Sequence, residues 1–133
     1  MRPVPPDLTG IHVLLVDDNE DARTILGVYL RHLGATVTVA RNGGDALAAL
    51  NDVRAHVIVS DLSMPGMDGL ELLTRIRSLS SEQASPTPAI AFTGYADRAN
   101  QEAARAAGFV KFLPKPTDPL EIAVEIKRLA PVG

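Results

Sequence analysis

Short apolar segments alternate along this chain with longer stretches in which apolar residues recur every three or four positions. The segments have the length of strands, and the spacing in the stretches between them is that of one face of a helix. Five such segments, each followed by a helical stretch, predict an α/β domain built on a doubly wound parallel sheet. The predicted strands cover residues 11–16, 36–40, 56–60, 89–93 and 109–113.

Capping residues mark where the predicted helices begin and end. Asp68 has capping-box spacing to Glu71, and Asp118 before Pro119 combines a favoured N-cap with a favoured first helical residue. Gly34 closes the first helix, as glycine often does. The predicted apolar stripes of the first and third helices consist of Ala22, Ile25, Leu26, Tyr29 and Leu33, and of Leu72, Leu73, Ile76 and Leu79.

The polarity of the strands predicts their order in the sheet. The second and fifth strands contain the polar residues Thr38 and Lys111, as strands at a sheet edge do, whereas the other three are almost wholly apolar. This pattern favours a (βα)5, flavodoxin-like sheet with the strand order 2-1-3-4-5. In an open sheet of this kind the ligand site lies at the carboxyl edge, where strands one and three meet.

Reactive side chains follow four of the predicted strands. Asp17 and Asp18 follow the first and Asp61 the third, while Thr93 ends the fourth and Lys115 comes just after the fifth. Parallel strands end at the same edge of a sheet, so we expect these side chains to converge. Three close carboxylates repel one another unless a cation neutralises them. A site of oxygen ligands alone suits Mg²⁺, and Mn²⁺ could substitute for it.

Each of these residues has an ordinary explanation when it is considered alone. An Asp-Asp pair after a strand is usually a turn and a helix cap. Thr93 alone would be a residue at a strand end, Lys115 a solvated charge and Phe112 a core residue. His12 and His56 stand at the starts of their strands, on the edge opposite the acids, and are interpreted as structural. The functional interpretation therefore depends on the ordered set.

Composition narrows the class of protein. The 133 residues suit one domain, and the absence of cysteine excludes disulfides and thiolate zinc sites. A net charge of −3, without a run of Lys or Arg, argues against direct nucleic-acid binding. No apolar segment reaches signal-peptide or membrane-spanning length, so we expect a cytoplasmic protein without membrane insertion. Residues 1–7 contain three prolines and are predicted to be a flexible lead-in to a domain at 8–130.

The ordered motifs resemble those of the response regulator receiver domain, in a chemotaxis-receiver-like form, from about Leu8 to Leu129. The matching motifs are Asp17-Asp18, Asp61 with the following Leu-Ser-Met-Pro-Gly-Met-Asp-Gly, Thr93 with the following glycine, Phe112, and Lys115-Pro116. The resemblance implies a two-component signalling domain. Such a domain takes a phosphoryl group from a phosphohistidine on a histidine kinase or a histidine phosphotransfer protein.

The resemblance also implies a role for each site residue. Mg²⁺ would be coordinated by Asp18, Asp61 and the backbone carbonyl of Ser63, with Asp17 assisting through water. Asp61 would be the nucleophile and would become an aspartyl-phosphate. Lys115, together with the metal, would stabilise the charge of the transferred group. The domain would thus catalyse only its own phosphorylation and dephosphorylation and would not be an enzyme in the usual sense.

A conformational switch is implied by the same resemblance. The Thr93 hydroxyl would bond to the new phosphoryl group, and Phe112 would turn inward and remodel the face of the fourth helix, fifth strand and fifth helix. The fourth helix, residues 97–107, contains alanines but no large aliphatic residue, so little apolar area anchors it. The Lys115–Pro116 peptide bond is implied to be cis.

Other functions remain open at this stage. A receiver that no longer switches could serve as a scaffold, and a flavodoxin-type binding module would share the topology but needs a phosphate loop where two acids stand. An aspartyl phosphatase would need a second acid two residues after its nucleophile, a spacing that Asp17-Asp18-Asn19 lacks. Residues 92–97 and 113–119 most resemble the corresponding segments of receivers in hybrid histidine kinases, and this resemblance implies an origin in such a kinase. The cognate kinase, the output, the phosphoryl lifetime and the oligomeric state are left open.

Overall fold

The computed structural model of the chain describes residues 4–79 and 87–130. Five parallel strands form one sheet in the order β2-β1-β3-β4-β5, which confirms the predicted fold class and strand order. The strands are β1 (His12–Val16), β2 (Thr36–Ala40), β3 (Val57–Ser60), β4 (Ala89–Thr93) and β5 (Lys111–Pro114). The helices are α1 (Glu20–His32), α2 (Gly43–Ala49), α3 (Gly69–Arg77), α4 (Arg98–Ala107) and α5 (Pro119–Leu129).

The sheet separates two apolar layers. On one face, α1 and α5 pack against the sheet through Leu26, Leu30, Ile122 and Ile126. On the other face, side chains of α2, α3 and α4 form the second layer. Because both faces are covered, β1, β3 and β4 are buried along almost their whole length, as the continuous apolar runs predicted.

Helix caps follow the predicted residues. The Asp68 carboxylate accepts the Glu71 backbone N–H at 2.8 Å, and the Asp118 carboxylate accepts that of Leu120 at 3.0 Å. Gly34 follows the C-cap of α1 with a φ of 104°, a left-handed conformation that glycine adopts without steric cost. Local sequence therefore determines these three helix ends.

Three details of the sequence-based prediction are wrong. Ile25 is 63% exposed, because the buried stripe of α1 runs through Leu26 and Leu30 and turns the preceding position toward solvent. Leu79 lies beyond the end of α3 and is not part of its stripe. The fifth strand begins at Lys111 and not at residue 109. Phe109 instead belongs to the end of α4, where its N–H donates to the Ala104 carbonyl.

Helix α4 is weakly anchored, as its composition predicted. Of its ten residues, all of which the structure describes, Ala104 alone is buried. Burying one methyl group stabilises a helix far less than burying the three larger side chains of α3, which are Leu72, Leu73 and Ile76. Helix α4 can therefore shift at a lower cost in free energy than α3 can.

Some predictions concern residues outside the described ranges. Residues 1–3 of the predicted lead-in and residues 80–86 of the predicted loop before β4 are among them. Residues 4–7 form no helix or strand, and whether the lead-in is flexible stays a prediction. Within the described ranges, no helix is both long enough and apolar enough to span a bilayer.

A histidine pair joins β1 to its neighbours at the amino edge of the sheet. The backbone N–H of His12 donates to Nδ1 of the His56 ring at 2.9 Å, and the ring Nε2 of His12 lies 2.7 Å from the Thr38 hydroxyl. This placement fits the structural role predicted for both residues. Burial lowers the pKa of His12 below its ordinary value, and the charge of His56 lowers it further.

We expect this pair to make the protein less stable in mild acid. Because the pKa of His12 is lower in the folded chain, the unfolded chain binds more protons as the pH falls below about 6.5, and stability decreases. Replacing His12 with Gln removes the titrating imidazole. Urea unfolding at about pH 7.5 and about pH 5 measures how far the free energy of unfolding decreases in acid. We expect this decrease to be smaller in His12→Gln than in the wild type, by on the order of a few tenths of a kcal/mol. An equal decrease in both proteins would contradict the assignment of this acid sensitivity to His12.

Candidate functional site

Three aspartates meet at the carboxyl edge of the sheet. Val16 at the end of β1 pairs with Ser60 at the end of β3, so the residues that follow these strands are neighbours. Carboxylate oxygens of Asp17, Asp18 and Asp61 lie within 4.8 Å of one another. Asp17 and Asp61 are only 2% and 8% exposed, whereas Asp18 is exposed. The cluster therefore combines two enclosed carboxylates with one that faces solvent.

Asp17 is the fixed member of the cluster. Its Oδ1 accepts the Asn19 N–H at 2.9 Å, and its Oδ2 accepts from Lys115 Nζ at 2.6 Å. Its backbone is held as well, since the N–H donates to the Ala40 carbonyl and the carbonyl accepts from Arg23 at 2.9 Å. Both carboxylate oxygens thus have partners within the chain. With one oxygen only 2.6 Å from the Lys115 ammonium, Asp17 fits an assisting role better than direct metal coordination.

Asp61 is held less tightly. Its Oδ1 accepts the Ser63 N–H at 3.1 Å, and its Oδ2 accepts from Lys115 Nζ at 3.2 Å. Its backbone N–H donates to the Val16 carbonyl at 3.0 Å, which fixes the start of the loop. One ammonium therefore bridges Asp17 and Asp61, and the longer contact is the one to Asp61.

Helix α3 approaches the Asp61 backbone so closely that only glycine fits at its first position. A Cβ added to Gly69 would lie 2.2 Å from the Asp61 carbonyl oxygen and 2.8 Å from the Leu62 Cα. Both are backbone atoms, which cannot rotate away as a side chain can. The Gly69 N–H also donates to the Leu62 carbonyl at 2.9 Å. This contact sets where the loop after β3 lies.

We expect Gly69→Ala to lower the free energy of unfolding by about 1–3 kcal/mol, because the added methyl must displace the loop backbone. Urea denaturation measures this loss. Gly44→Ala is the matched control, since its nearest neighbour would lie at an ordinary 3.5 Å and alanine favours a helix more than glycine does. Equal stability of Gly69→Ala and the wild type would show that the loop has another position available.

Lys115 is fixed at both ends. Its backbone N–H donates to the Thr93 carbonyl at 2.8 Å, and the Lys115–Pro116 bond is cis, as the resemblance implied. Burial acts to lower the pKa of Lys115, but its hydrogen bonds and charge interactions with Asp17 and Asp61 outweigh burial and raise it. The ammonium is therefore charged at neutral pH.

The two residues implied in switching lie on adjacent strands. Thr93 is fully buried at the end of β4, and its hydroxyl accepts the Tyr95 N–H at 3.3 Å. Phe112 on β5 is partly buried and packs against the layer that includes Ala104 of α4. A crevice of about 70 Å³ separates this part of α4 from β5. Space for a side-chain rearrangement is therefore present next to Phe112.

The donors in the cluster fit a hard divalent cation. Every side-chain donor is a carboxylate oxygen, and three carboxylates are only partly neutralised by the single ammonium of Lys115. Asp18 is exposed, and the contacts of the Asp61 oxygens, at 3.1 and 3.2 Å, are longer than those of the Asp17 oxygens, at 2.9 and 2.6 Å, so Asp18 and Asp61 are the residues that could hold the ion directly. The sequence has no cysteine and the cluster contains no histidine, so its donors favour Mg²⁺ or Mn²⁺ over zinc.

The structure brings together most of the residues singled out from the sequence. Asp17, Asp18, Asp61 and Lys115 form one cluster, and the Ser63 amide reaches it, although the role proposed for Ser63 concerns its carbonyl. Sequence reasoning missed three contributors: Asn19 and Arg23 hold Asp17, and the Phe92 ring lies beside the Lys115 ammonium. Phe92 directly precedes Thr93 in the sequence, and this position was the available indication that its side chain lies near the site.

Comparison with known proteins places these features in a family. The model described as the response regulator receiver domain matches residues 13–127. A protein of Leptolyngbya boryana, described as an uncharacterized 14.6 kDa protein, is 44% identical over 115 residues, which is 86% of each chain. The chain also matches longer transcriptional regulators, of which it spans less than half the length.

Solved structures agree with the sequence matches. Chemotaxis protein CheY4 of Vibrio cholerae has a TM-score of 0.84 and 31% identity, over 90% of this chain and 98% of that one. The receiver domain of sensor histidine kinase PA1611 from Pseudomonas aeruginosa has a TM-score of 0.81 and 30% identity, over 91% and 98%. That receiver is described with a magnesium ion coordinated in its active-site cleft.

Proposed function

Because the chain belongs to the response regulator receiver domain family of two-component systems, we propose that it accepts a phosphoryl group on Asp61. The observation that carries this proposal is the position of the Asp61 carboxylate. It lies between the Lys115 ammonium, the Ser63 amide and two further aspartates. Receiver domains are signalling domains and not classical enzymes, so the reaction serves to change the state of the chain itself.

The proposed reaction is an in-line transfer. An oxygen of the Asp61 carboxylate attacks the phosphorus of a phosphohistidine, the phosphorus–nitrogen bond breaks, and the imidazole leaves and takes up a proton from water. The Lys115 ammonium offsets the negative charge that the phosphoryl oxygens bring into the site. Asp17 keeps this ammonium in place through its 2.6 Å contact.

Mg²⁺ is the cofactor we propose, with Mn²⁺ as a substitute. Asp18, Asp61 and the Ser63 carbonyl would hold it, with Asp17 assisting through water. When bound, the ion would neutralise the carboxylates and polarise the phosphoryl oxygens. The description of the Pseudomonas receiver with magnesium in its cleft supports this choice for a related site.

The proposed output is a change of surface. Thr93 would donate its hydroxyl to the phosphoryl group, and Phe112 would move into the space beside α4. Helix α4 can follow at low cost because it buries a single alanine methyl among its ten described residues. A phosphoryl group adds about −1.5 to −2 charges, enough to bias two states that differ by a few kcal/mol.

The phosphoryl donor is proposed to be a histidine kinase or a histidine phosphotransfer protein, whose identity the chain does not specify. Residues 8–130 are the proposed receiver domain. The absence of nucleic-acid binding and the cytoplasmic location stay predictions. So does the origin in a hybrid kinase.

Acetyl phosphate offers a test that needs no partner. The wild-type chain is incubated with acetyl phosphate and Mg²⁺, with and without a chelator, and its intact mass is measured. The proposal predicts the gain of one phosphoryl group that disappears with the chelator. If neither acetyl phosphate nor a phosphohistidine donor gives a gain, the chain is a scaffold that does not accept phosphate.

A further inference from the structure

The aromatic ring of Phe92, a residue of β4, lies against the Lys115 ammonium. Nζ of Lys115 lies over the Phe92 ring, 5.2 Å from its centroid. The same nitrogen contacts Asp17 at 2.6 Å and Asp61 at 3.2 Å. The ammonium therefore contacts two carboxylates and the face of a ring.

The face of an aromatic ring attracts a cation within about 6 Å, and this attraction strengthens when water is partly excluded. The Lys115 side chain is 25% exposed, so much of its water shell has been replaced by protein. A lysine has a flexible four-carbon stem, and its ammonium can occupy many positions unless its surroundings restrict it. The ring supplies such a restriction in addition to the two carboxylates.

Phe92 is not placed like an ordinary core residue. It is only partly buried, and it lines an open apolar groove of about 450 Å³ between α1 and α5, of which Lys115 forms another part. Phe109, by contrast, is 5% exposed and packs in the opposite layer. A leucine at position 92 would supply apolar contact to the core, but only an aromatic ring supplies the negative face that attracts the ammonium.

We propose that Phe92 is a positioning residue of the phosphoacceptor site, whose ring holds the Lys115 ammonium against Asp17 and Asp61. The role in phosphoryl transfer rests on the proposed function, whereas the contact between ring and ammonium does not. Phe92 touches neither the phosphoryl group nor the metal in this proposal. It acts through Lys115, and it adds a residue of β4 to the site besides Thr93.

Nuclear magnetic resonance tests the contact without any phosphoryl donor. The chain has three lysines, Lys111, Lys115 and Lys127, so their ε-methylene signals can be labelled and assigned with Lys→Arg variants. Protons held over an aromatic ring resonate upfield. We expect the Lys115 signal to be upfield of the other two in the wild type and in Phe92→Tyr, and to move to their position in Phe92→Leu.

Phe109→Leu is the matched control, because it removes an equally large ring from the other layer and should leave the Lys115 signal unchanged. Phe92→Met, with a flexible apolar side chain, replaces Phe92→Leu if that variant does not fold. An unchanged Lys115 signal in Phe92→Leu would overturn the proposal. So would the same displacement in Phe109→Leu, because that would indicate a general loss of packing.

Phosphorylation by acetyl phosphate tests the consequence for the site. We expect a rate about 2- to 5-fold lower in Phe92→Leu and a rate within 2-fold of wild type in Phe92→Tyr. A factor of 5 corresponds to about 1 kcal/mol, the size expected of a cation–π contact. Equal loss in both variants would overturn the positioning role. A wild type that accepts no phosphate would instead refute the proposed function and leave the spectroscopic result standing.

Discussion

Asp61→Asn is expected to abolish phosphorylation of the chain. The amide is a poor nucleophile and carries no charge, while its size and the hydrogen bond from Ser63 are preserved. Removing the attacking group of a transfer reaction leaves no route to the product, so the loss should exceed about 10³-fold. The intact mass after incubation with acetyl phosphate and Mg²⁺ measures it.

Stability is the control for this variant. Lys115 keeps its 2.6 Å contact with Asp17, so the free energy of unfolding should stay within about 1 kcal/mol of the wild type. A folded Asp61→Asn protein that gains a phosphoryl group at the wild-type rate would show that another residue accepts it. Asp18 would then be the next candidate, because it is the exposed member of the cluster.

Lys115→Met should have the second largest effect. Asp17 is almost fully buried, and without Lys115 its Oδ2 loses the partner that offsets its charge. Breaking a buried ion pair on one side costs up to about 3–5 kcal/mol, so we expect a loss of about 3 kcal/mol in the metal-free protein. Since the ammonium also repels a divalent cation, Mg²⁺ should bind about 3- to 10-fold more tightly and restore part of the stability.

Urea unfolding with and without Mg²⁺ measures both effects. Lys111→Met is the matched control, because Lys111 also pairs with a carboxylate, that of Glu125 at 3.8 Å. This carboxylate keeps Arg128 as a partner, so the loss should be at most about 1 kcal/mol. A Lys115→Met protein as stable as Lys111→Met, with unchanged Mg²⁺ affinity, would contradict the electrostatic description of the site.

The alkaline behaviour of Lys115 follows from the same contacts. Its pKa is raised in the folded chain, so the stabilisation it provides is fully present below its ordinary pKa of about 10.5 and disappears as the pH rises through the higher folded value. Near neutral pH Lys115 therefore stays charged, and a change of stability with pH in that range has another origin.

The strand order and the meeting of Asp17, Asp61 and Lys115 could be predicted because both depend on chain topology. Parallel strands end at one edge of the sheet, so residues that directly follow them become neighbours whatever the details of packing. The caps at Asp68 and Asp118 were predictable for a related reason, since a cap depends on a few adjacent residues. No long-range information was needed in either case.

Other features depend on contacts that no local pattern contains. The exposure of Ile25 is set by which stripe of α1 meets the sheet, and the start of β5 is set by how α4 ends at Gly108, which has a φ of 114°. The contact of Phe92 with Lys115 joins residues far apart in sequence. The requirement for glycine at position 69 likewise depends on how closely α3 packs against the Asp61 backbone, where an added Cβ would lie 2.2 Å from the carbonyl oxygen.

Locating the phosphoryl group on the chain tests the central claim most directly. Borohydride reduces an acyl phosphate to an alcohol and releases phosphate, so a phosphorylated aspartate becomes homoserine. The chain is phosphorylated with acetyl phosphate and Mg²⁺, reduced and digested, and its peptides are analysed by mass spectrometry. We predict homoserine at position 61 and aspartate at positions 17 and 18. Homoserine at either of those two positions, with aspartate retained at 61, would contradict the assignment of Asp61 as the phosphoacceptor.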